Sequence, residues 1–180
     1  MRIELKGVRI SWPKLFKAEA YGDGEAVFSA TFLFAPGSPA HKLVEKAMAD
    51  AAKEKWGEKG AAQLRALYSG GKVCLRDGDS KAGTEGYEGM LFVNARSKKR
   101  PPVYDTDNSL LTEDDAHAID GGDYVSAMVD IYAQDNGFGK RINASLAGVK
   151  LVRNGERFSG SRAVAATDFS TVDELEDLLA

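Results

Sequence analysis

Residues 124–152 read YVSAMVDIYAQDNGFGKRINASLAGVKLV. Two runs with alternating apolar positions flank the dipeptide Asn136-Gly137, which is one of the strongest short-range signals for a β-hairpin. In the first run one face is apolar, whereas Tyr124 and Tyr132 lie on the other face. The apolar face consists of Val125, Ala127, Val129 and Ile131. The stretch therefore predicts a long antiparallel hairpin that buries one of its faces.

The segments upstream predict further strands around two helices. The strand segments are residues 2–12, 26–34, 72–79 and 90–97. The clearest helix begins with Ser38 as its N-cap and Pro39 at its first position, and it ends at Gly57. A shorter helix covers residues 61–68. This order predicts a mainly β protein with inserted helices (α+β), built as a small antiparallel barrel or a strongly curved sheet.

Composition limits the class of protein. The 180 residues, 43% of them apolar, are enough for one domain with a substantial core. The single cysteine, Cys74, excludes an internal disulfide and a cysteine-only zinc site, and it is interpreted as a small buried hydrophobic residue. We find no signal peptide and no apolar run of membrane-spanning length. We therefore expect a soluble cytoplasmic protein that needs no membrane and no cofactor.

The net charge of -3 is unevenly distributed along the chain. Residues 163–180 contain five acidic residues and no Lys or Arg, which leaves residues 1–162 with 24 basic and 22 acidic side chains. Such asymmetry indicates a nucleic-acid or protein partner. We expect two units, a folded domain of residues 1–158 and a flexible acidic tail of residues 159–180.

The basic residues gather in FVNARSKKRPPVYD, residues 92–105. If this run begins as a strand, Phe92 and Arg96 share the face opposite to the apolar one. Phe92 is then either a platform on which a base stacks, or an ordinary surface aromatic or second-layer packing residue. The cations that follow are either phosphate ligands or a solvated turn. These cations are Arg96, Lys98, Lys99 and Arg100, and Tyr104 follows them after two prolines.

The hairpin repeats this combination of aromatic and basic residues. Tyr132 lies on its polar face, and Phe138, Lys140 and Arg141 lie at its turn. Trp12, in ISWPKLF, is interpreted as either structural or ligand-binding. Two neighbouring strands with an aromatic, basic face favour binding of single-stranded nucleic acid, whose bases stack on aromatic rings while Lys and Arg bind its phosphates. A duplex would hide the faces of its bases.

Motifs for catalysis are scarce. Neither of the two histidines lies in HExxH, and the chain lacks GxSxG and GxxxxGK[ST]. The acidic run DTDNSLLTEDD, residues 105–115, begins like a calcium loop but lacks its glycine and its final glutamate. We therefore expect a protein that is not an enzyme. A Mg²⁺-dependent nuclease that uses scattered acids, and a structural or adaptor domain that binds an acidic protein, are the alternatives.

Several stretches together resemble a family of bacteriophage single-stranded-DNA-binding proteins that was long catalogued as a domain of unknown function. These stretches, within about residues 1–155, are ISWPKLF, FSATFLF, GMLFVNARSKKRPPVYD, GGDYVSAMVDIYA and GFGKRINASLAGVKLV. The resemblance implies an OB-like five-stranded antiparallel barrel with elaborations. It also implies sequence-independent binding of single-stranded DNA during phage DNA replication, recombination or repair, in the cytoplasm of the host.

The resemblance points to the segment 92–104 as part of the DNA face, and the strand-face argument adds residues elsewhere. The expected DNA-binding residues are Trp12, Phe92, Arg96, Lys98, Lys99, Arg100, Tyr104, Tyr132, Phe138, Lys140 and Arg141. The acidic tail resembles tails that recruit replication and recombination proteins. Its expected partner-binding residues are Phe169, Asp173, Glu174, Leu175, Glu176, Asp177, Leu178 and Leu179. The chain departs from the bacterial tails in ending with Leu179-Ala180 instead of Pro-Phe.

Overall fold

The computed structural model describes residues 1–20, 22–81, 83–158, 176, 178 and 179. Its strands are β1 (Arg2–Glu19), β2 (Val27–Phe34), β3 (Leu75–Asp77), β4 (Leu91–Ser97), β5 (Val103–Tyr104), β6 (Tyr124–Asn136) and β7 (Gly139–Arg153). Its α-helices are α1 (Pro39–Trp56) and α2 (Gly60–Ser69). Short 3-10 turns occur at Gly57–Lys59, Gly78–Lys81 and Glu113–Asp115. No helix in these described ranges is long and apolar enough to cross a membrane.

Five of the strands close into a barrel in the order β4-β2-β1-β6-β7. Neighbouring strands in this order pair antiparallel, and β7 returns to β4 through a parallel pair in which Arg96 lies opposite Ser145. β3 and β5 pair with β4 and β7 and extend the sheet beyond the barrel. The OB-like barrel with inserted helices that the sequence predicted is confirmed. Its closing pair makes the barrel mixed instead of wholly antiparallel.

β6 and β7 form the predicted hairpin, with Asn136 opposite Gly139. The turn residues are Gly137 and Phe138, one position later than the predicted Asn136-Gly137 turn. The Asn136 side chain explains this position, because its Oδ1 accepts a hydrogen bond from the Phe138 N–H (2.9 Å). Gly139 then has a φ of 104°, a backbone conformation that suits glycine.

The barrel interior is filled by alternate residues of its strands, as a period of two requires. The face predicted to be apolar on β6 is buried, with Val125, Ala127, Val129 and Ile131 fully inaccessible. Helix α1 packs against β1 and β6. It begins and ends as predicted: the Ser38 side chain accepts a hydrogen bond from the His41 N–H (3.3 Å), and Gly57 has a φ of 57°.

A smaller hydrophobic cluster lies on the outer surface of the sheet. It consists of Leu33, Tyr87, Phe92 and Phe158. The rings of Tyr87 and Phe92 meet edge-on, with centroids 5.3 Å apart, and the Tyr87 hydroxyl donates to Ser11 Oγ (3.1 Å). The segment 154–158 crosses the same surface, where the Phe158 N–H donates to the Gly121 carbonyl (3.1 Å). The outer surface is therefore covered at one end and open at the other.

Candidate nucleic-acid interface

The open part of the outer surface forms a groove of about 420 Å³ where β3 and β4 meet the β6–β7 hairpin. Three guanidinium groups line it, from Arg76, Arg96 and Arg141. The other lining residues are Val73, Cys74, Asn94, Tyr132, Gln134, Ile142, Asn143 and Ala144. We call this site the arginine groove. It combines three cations, an accessible aromatic ring and three side-chain amides in one concave surface.

Strand alternation places these side chains on one face. Asn94 and Arg96 are two residues apart on β4 and therefore point the same way. On the hairpin, Tyr132 lies opposite Asn143 and Gln134 lies opposite Arg141, and residues opposite each other in an antiparallel pair share a face. Tyr132 remains 45% exposed. Its ring is therefore accessible to a planar ligand.

The guanidinium groups of the arginine groove are available to an anionic ligand. Across the described ranges, the salt bridges within 4.0 Å involve none of Arg76, Arg96 and Arg141. Arg76 donates one hydrogen bond, to the Gly71 carbonyl (3.2 Å). Three neighbouring cations without a carboxylate partner produce a positive potential that favours phosphate groups.

Hydrogen bonds orient the amides of the groove. Asn94 Oδ1 accepts from the Thr31 hydroxyl (2.5 Å), so the Asn94 amino group is left for a ligand. Asn143 donates to Gln134 Oε1 (2.8 Å), which leaves the Asn143 carbonyl oxygen as an acceptor. The groove therefore offers both a donor and an acceptor between its cations.

Cys74 lines the arginine groove but is itself buried. Burial raises the pKa of its thiol to about 12, because a thiolate would lose its hydration there. The thiol therefore stays protonated at neutral pH and is a poor nucleophile. This agrees with the interpretation of Cys74 as a small buried hydrophobic residue.

Of the residues predicted to bind DNA, the structure brings Arg96, Tyr132 and Arg141 together in the arginine groove. Phe138 and Lys140 lie nearby at the tip of the hairpin, where Phe138 is 94% exposed. Lys140 Nζ lies 3.4 Å from Gln63 Oε1 and 6.0 Å from the centroid of the Trp56 ring. These two residues extend the aromatic and basic surface beyond the groove.

The remaining cations of the 92–105 segment do not line the groove. Lys98 pairs with Glu25 (3.1 Å), and Arg100 pairs with Glu113 (3.6 Å) and lies 5.5 Å from the centroid of the Phe16 ring. Lys99 is exposed in the turn after β4. Arg96 therefore belongs to the groove, whereas Lys98, Lys99 and Arg100 lie around the end of β4, and their contact with DNA stays a prediction.

Tyr104 lies at a separate place, on β5. It is 38% exposed and lies opposite Lys150 of β7. The aromatic ring that follows the cations in sequence is therefore not one of the residues that line the arginine groove.

Phe92 does not have the predicted role as a stacking platform. It lies on the predicted face, opposite to Val93, but it is completely inaccessible in the outer cluster with Leu33 and Phe158. The alternation of β4 assigns the face correctly. The cover comes from the loop just before β4, which contributes Tyr87, and from the distant segment that contributes Phe158. The alternative interpretation of Phe92 as a second-layer packing residue therefore agrees with its burial.

Trp12 lies beside a second groove of about 560 Å³. Its side chain is 64% exposed, although its φ of 49° is a conformation that bulky residues rarely adopt. The other lining residues are Ser11, Pro13, Lys14, Gly83, Thr84, Glu85, Asp120, Gly121 and Phe158. We call this site the tryptophan groove.

Comparison with known proteins identifies the family. The family model described as the single-stranded-DNA-binding protein of Enterobacter phage Enc34 matches residues 1–179. The chain belongs to this family. It is 36% identical over 190 residues to protein p50 of Acyrthosiphon pisum secondary endosymbiont phage 1, and the match covers 100% of both proteins.

Solved structures of the Enc34 family have the same fold. The single-stranded DNA-binding protein from bacteriophage Enc34 in complex with ssDNA has a TM-score of 0.75 and 30% identity, over 88% of this chain and 89% of that one. The gp2.5 protein of bacteriophage T7, described as a single-stranded DNA binding protein, has a TM-score of 0.58 over 93% of this chain and 92% of that one. At 12% identity the second likeness shows the fold alone.

Four polar residues that line the arginine groove in this Enc34-family protein were not among the predicted site residues. They are Arg76, Asn94, Gln134 and Asn143. Asn94 shares the predicted face with Arg96, so the alternation of β4 was enough to predict that Asn94 lies beside Arg96. Arg76 comes from a short edge strand whose position beside β4 depends on tertiary pairing. Sequence spacing does not show that pairing.

The acidic run 105–115 forms turns of its own. Asp107 Oδ1 accepts hydrogen bonds from the Ser109 hydroxyl (2.6 Å) and the Ser109 N–H (3.0 Å), and these bonds lower the pKa of its carboxyl. Thr112 and Asp115 form a reciprocal capping box around the short 3-10 turn. Within the described residues there is no group of three or more His, Cys, Asp or Glu side chains that could hold a metal ion.

Most of the predicted tail residues lie outside the described part of this Enc34-family chain. They are Phe169, Asp173, Glu174, Leu175 and Asp177. Of the described ones, Leu178 and Leu179 are 80% and 87% exposed, and Glu176 is exposed as well. Their role in binding a partner stays a prediction, as does the division at residue 158.

Proposed function

We propose that this protein binds single-stranded DNA without sequence preference, with the arginine groove as the central contact. The observation that carries the proposal is the combination of Arg76, Arg96 and Arg141, none of them paired with a described carboxylate, beside the accessible Tyr132 ring. Family membership and the DNA complex of the Enc34 relative support it.

The chemistry of the groove fits a single strand better than a duplex. The guanidinium groups bind phosphates wherever these fall along the backbone, and counterions are released on binding. Tyr132 stacks on a base, which is possible for any of the four bases because each has a π-face. In a duplex those faces are already stacked on each other, so the tyrosine would contribute little.

We further propose that the protein acts in phage DNA replication, recombination or repair, in the cytoplasm of the host. Each of these processes exposes single strands, which a sequence-independent binder would cover. A protein without catalytic residues suffices for this task, since binding alone protects the strand.

The first test measures binding of a fluorescently labelled thymidine oligonucleotide by anisotropy at several salt concentrations. Arg96→Gln and Arg141→Gln should each weaken binding and lower the magnitude of the salt slope by about 0.7 per lost phosphate contact. Tyr132→Leu should cost about 1–3 kcal/mol of binding free energy, whereas Tyr132→Phe should retain it. Lys42→Gln, at an exposed position of α1 outside the groove, is the matched control.

Unchanged affinity and salt slope in both arginine variants would contradict the proposal. The same assay distinguishes the alternatives. Cleavage of the oligonucleotide on addition of Mg²⁺ would indicate a nuclease. Binding of an acidic polypeptide, with no binding of DNA, would indicate an adaptor domain.

A further inference from the structure

The backbone at Trp12 contains a β-bulge that turns its side chain outward. On β1 the paired residues Ser11 and Lys14 are three positions apart, whereas their partners on β2, Thr31 and Ser29, are two apart. Two residues, Trp12 and Pro13, therefore lie between these pairs on β1, whereas a single residue, Ala30, lies between them on β2. A bulge bends the strand and re-aims side chains, and bulges are frequent beside binding sites. The structure thus directs the Trp12 indole away from the barrel.

Two further properties of Trp12 indicate a ligand. Its positive φ costs free energy that glycine at the same position would not cost. Its side chain is 64% exposed, so burial recovers little of that cost. A strained backbone that presents a large exposed aromatic ring beside a groove of about 560 Å³ is poorly explained by stability alone.

The two grooves are connected by a row of residues across the outer surface of the sheet. Arg96 lies opposite Ser29 on β2, and Ser29 lies opposite Lys14 on β1. Residues opposite each other in antiparallel strands share a face, and adjacent strands lie about 4.8 Å apart. This row therefore runs for about 10 Å from the arginine groove to the tryptophan groove. Ser29 and Lys14 are partly accessible along it.

The charges of the tryptophan groove differ from those of the arginine groove. Lys14 pairs with Glu19, and Asp120 pairs with Arg157. Glu85 adds a second carboxylate to the lining. Among the described lining residues the one cation is Lys14, which is already paired, so a phosphate would find no unpaired cation here, whereas an uncharged base would meet an indole ring and polar side chains. The groove is therefore suited to a base and unsuited to the backbone.

We propose that Trp12 is a second stacking site for the same single strand that occupies the arginine groove, and that this strand crosses the sheet over Ser29. The proposal rests on the proposed function. The two sites differ in kind: the arginine groove holds phosphates and a base, and the tryptophan groove holds a base alone. A strand that fills only the arginine groove does not reach Trp12.

The test measures the affinity of thymidine oligonucleotides of about 4, 8, 12 and 16 residues, a range that covers the site sizes of OB folds. Trp12→Gly removes the ring and suits the positive φ, so the variant should unfold at the wild-type temperature or above. We expect it to bind the longest oligonucleotides about 5- to 100-fold more weakly, and the shortest within about twofold of the wild type. Its salt slope should equal that of the wild type.

Trp12→Phe is the matched control, because it keeps an aromatic ring at the bulge and should retain most of the affinity. Wild-type affinity of Trp12→Gly for every length, or an equal loss for every length, would overturn the second site. A lower salt slope in Trp12→Gly would overturn the assignment of this groove to a base. In either case Arg96→Gln, measured in parallel, reports on the arginine groove and so tests the proposed function separately.

Discussion

Phe92 on β4 and Tyr132 on β6 show how two residues on the outward face of the barrel acquire different roles. Tyr132 remains accessible in the arginine groove, whereas Phe92 is sealed between Tyr87, Leu33 and Phe158. The difference comes from what covers each position. Residues 83–89 and 154–158 cross the sheet over Phe92, and no described segment crosses it over Tyr132.

Replacement of Phe92 by Ala tests this distinction. Because the ring is fully buried, Phe92→Ala should lower the free energy of unfolding by about 3–5 kcal/mol. Phe138→Ala, at the exposed hairpin tip, should change it by less than about 0.5 kcal/mol. Urea denaturation of both variants provides the measurement. A small loss of stability in Phe92→Ala, together with a large loss of DNA affinity, would show that the ring leaves the cluster to stack on DNA.

Single residues were predictable where strand alternation alone decides their environment. The sequence predicted the faces of Val125, Tyr132 and Arg96, and the structure confirms all three. The cover over Phe92 was not predictable, because Tyr87 and Phe158 come from loop segments without a periodic pattern. The bulge at Trp12 was not predictable either, because its one local indication in the sequence is the proline that follows it.

At the scale of elements, the β6–β7 hairpin determines the shape of the arginine groove. Its tip is held against the helices: the Trp56 indole N–H donates to Asp135 Oδ2 (2.9 Å), and Lys140 lies over the Trp56 ring. Asp135 and Lys140 are opposite each other in the hairpin. Helix α1 therefore supports the strands that carry Tyr132 and Arg141.

The support by α1 predicts a local effect of Asp135→Ala. Without an acceptor for the Trp56 indole, amide hydrogen exchange should accelerate in residues 134–140. The free energy of unfolding should fall by less than about 1 kcal/mol because the bond is exposed. DNA affinity should fall several-fold. Asp135→Asn retains an acceptor oxygen and should resemble the wild type. Equal exchange rates in all three proteins would show that the bond does not hold the tip.

The elements themselves were largely predictable, with β3 as the instructive exception. The sequence predicted a strand over residues 72–79, whereas β3 covers Leu75–Asp77. The preceding residues have another partner, since the Lys72 carbonyl accepts a hydrogen bond from the Ile142 N–H (3.0 Å) of β7. This contact closes one side of the arginine groove. Local alternation cannot show that one short segment is shared between two strands.

At the scale of the whole molecule, charge is unevenly distributed along the chain. Residues 1–162 have a small basic excess, and residues 163–180 contain only acidic charges. The arginine groove concentrates cations at one place on the domain. An acidic segment attached to the same chain is therefore a potential competitor of DNA for these cations.

Deletion of residues 163–180 should tighten DNA binding several-fold at low salt, and the difference should shrink as salt screens the charges. A full-length variant with its five tail acids changed to amides should behave like the deletion, which separates charge from length. The measurement is a salt series of oligonucleotide affinities for the three proteins. Parallel curves for all three would contradict competition by the tail and would leave recruitment of a partner as its expected role.

Strand β4, which closes the barrel by pairing with both β2 and β7, limits where residues can be inserted into the chain. Among the described residues, β4 lies opposite β2 at seven positions, from Phe28–Ser97 to Phe34–Leu91, and meets β7 where Arg96 faces Ser145. One inserted residue in β4 would turn the Arg96 side chain toward the core and Ala95 toward the groove. Insertions in this family are therefore expected in the turn after β4, residues 98–102, and excluded from the strand itself.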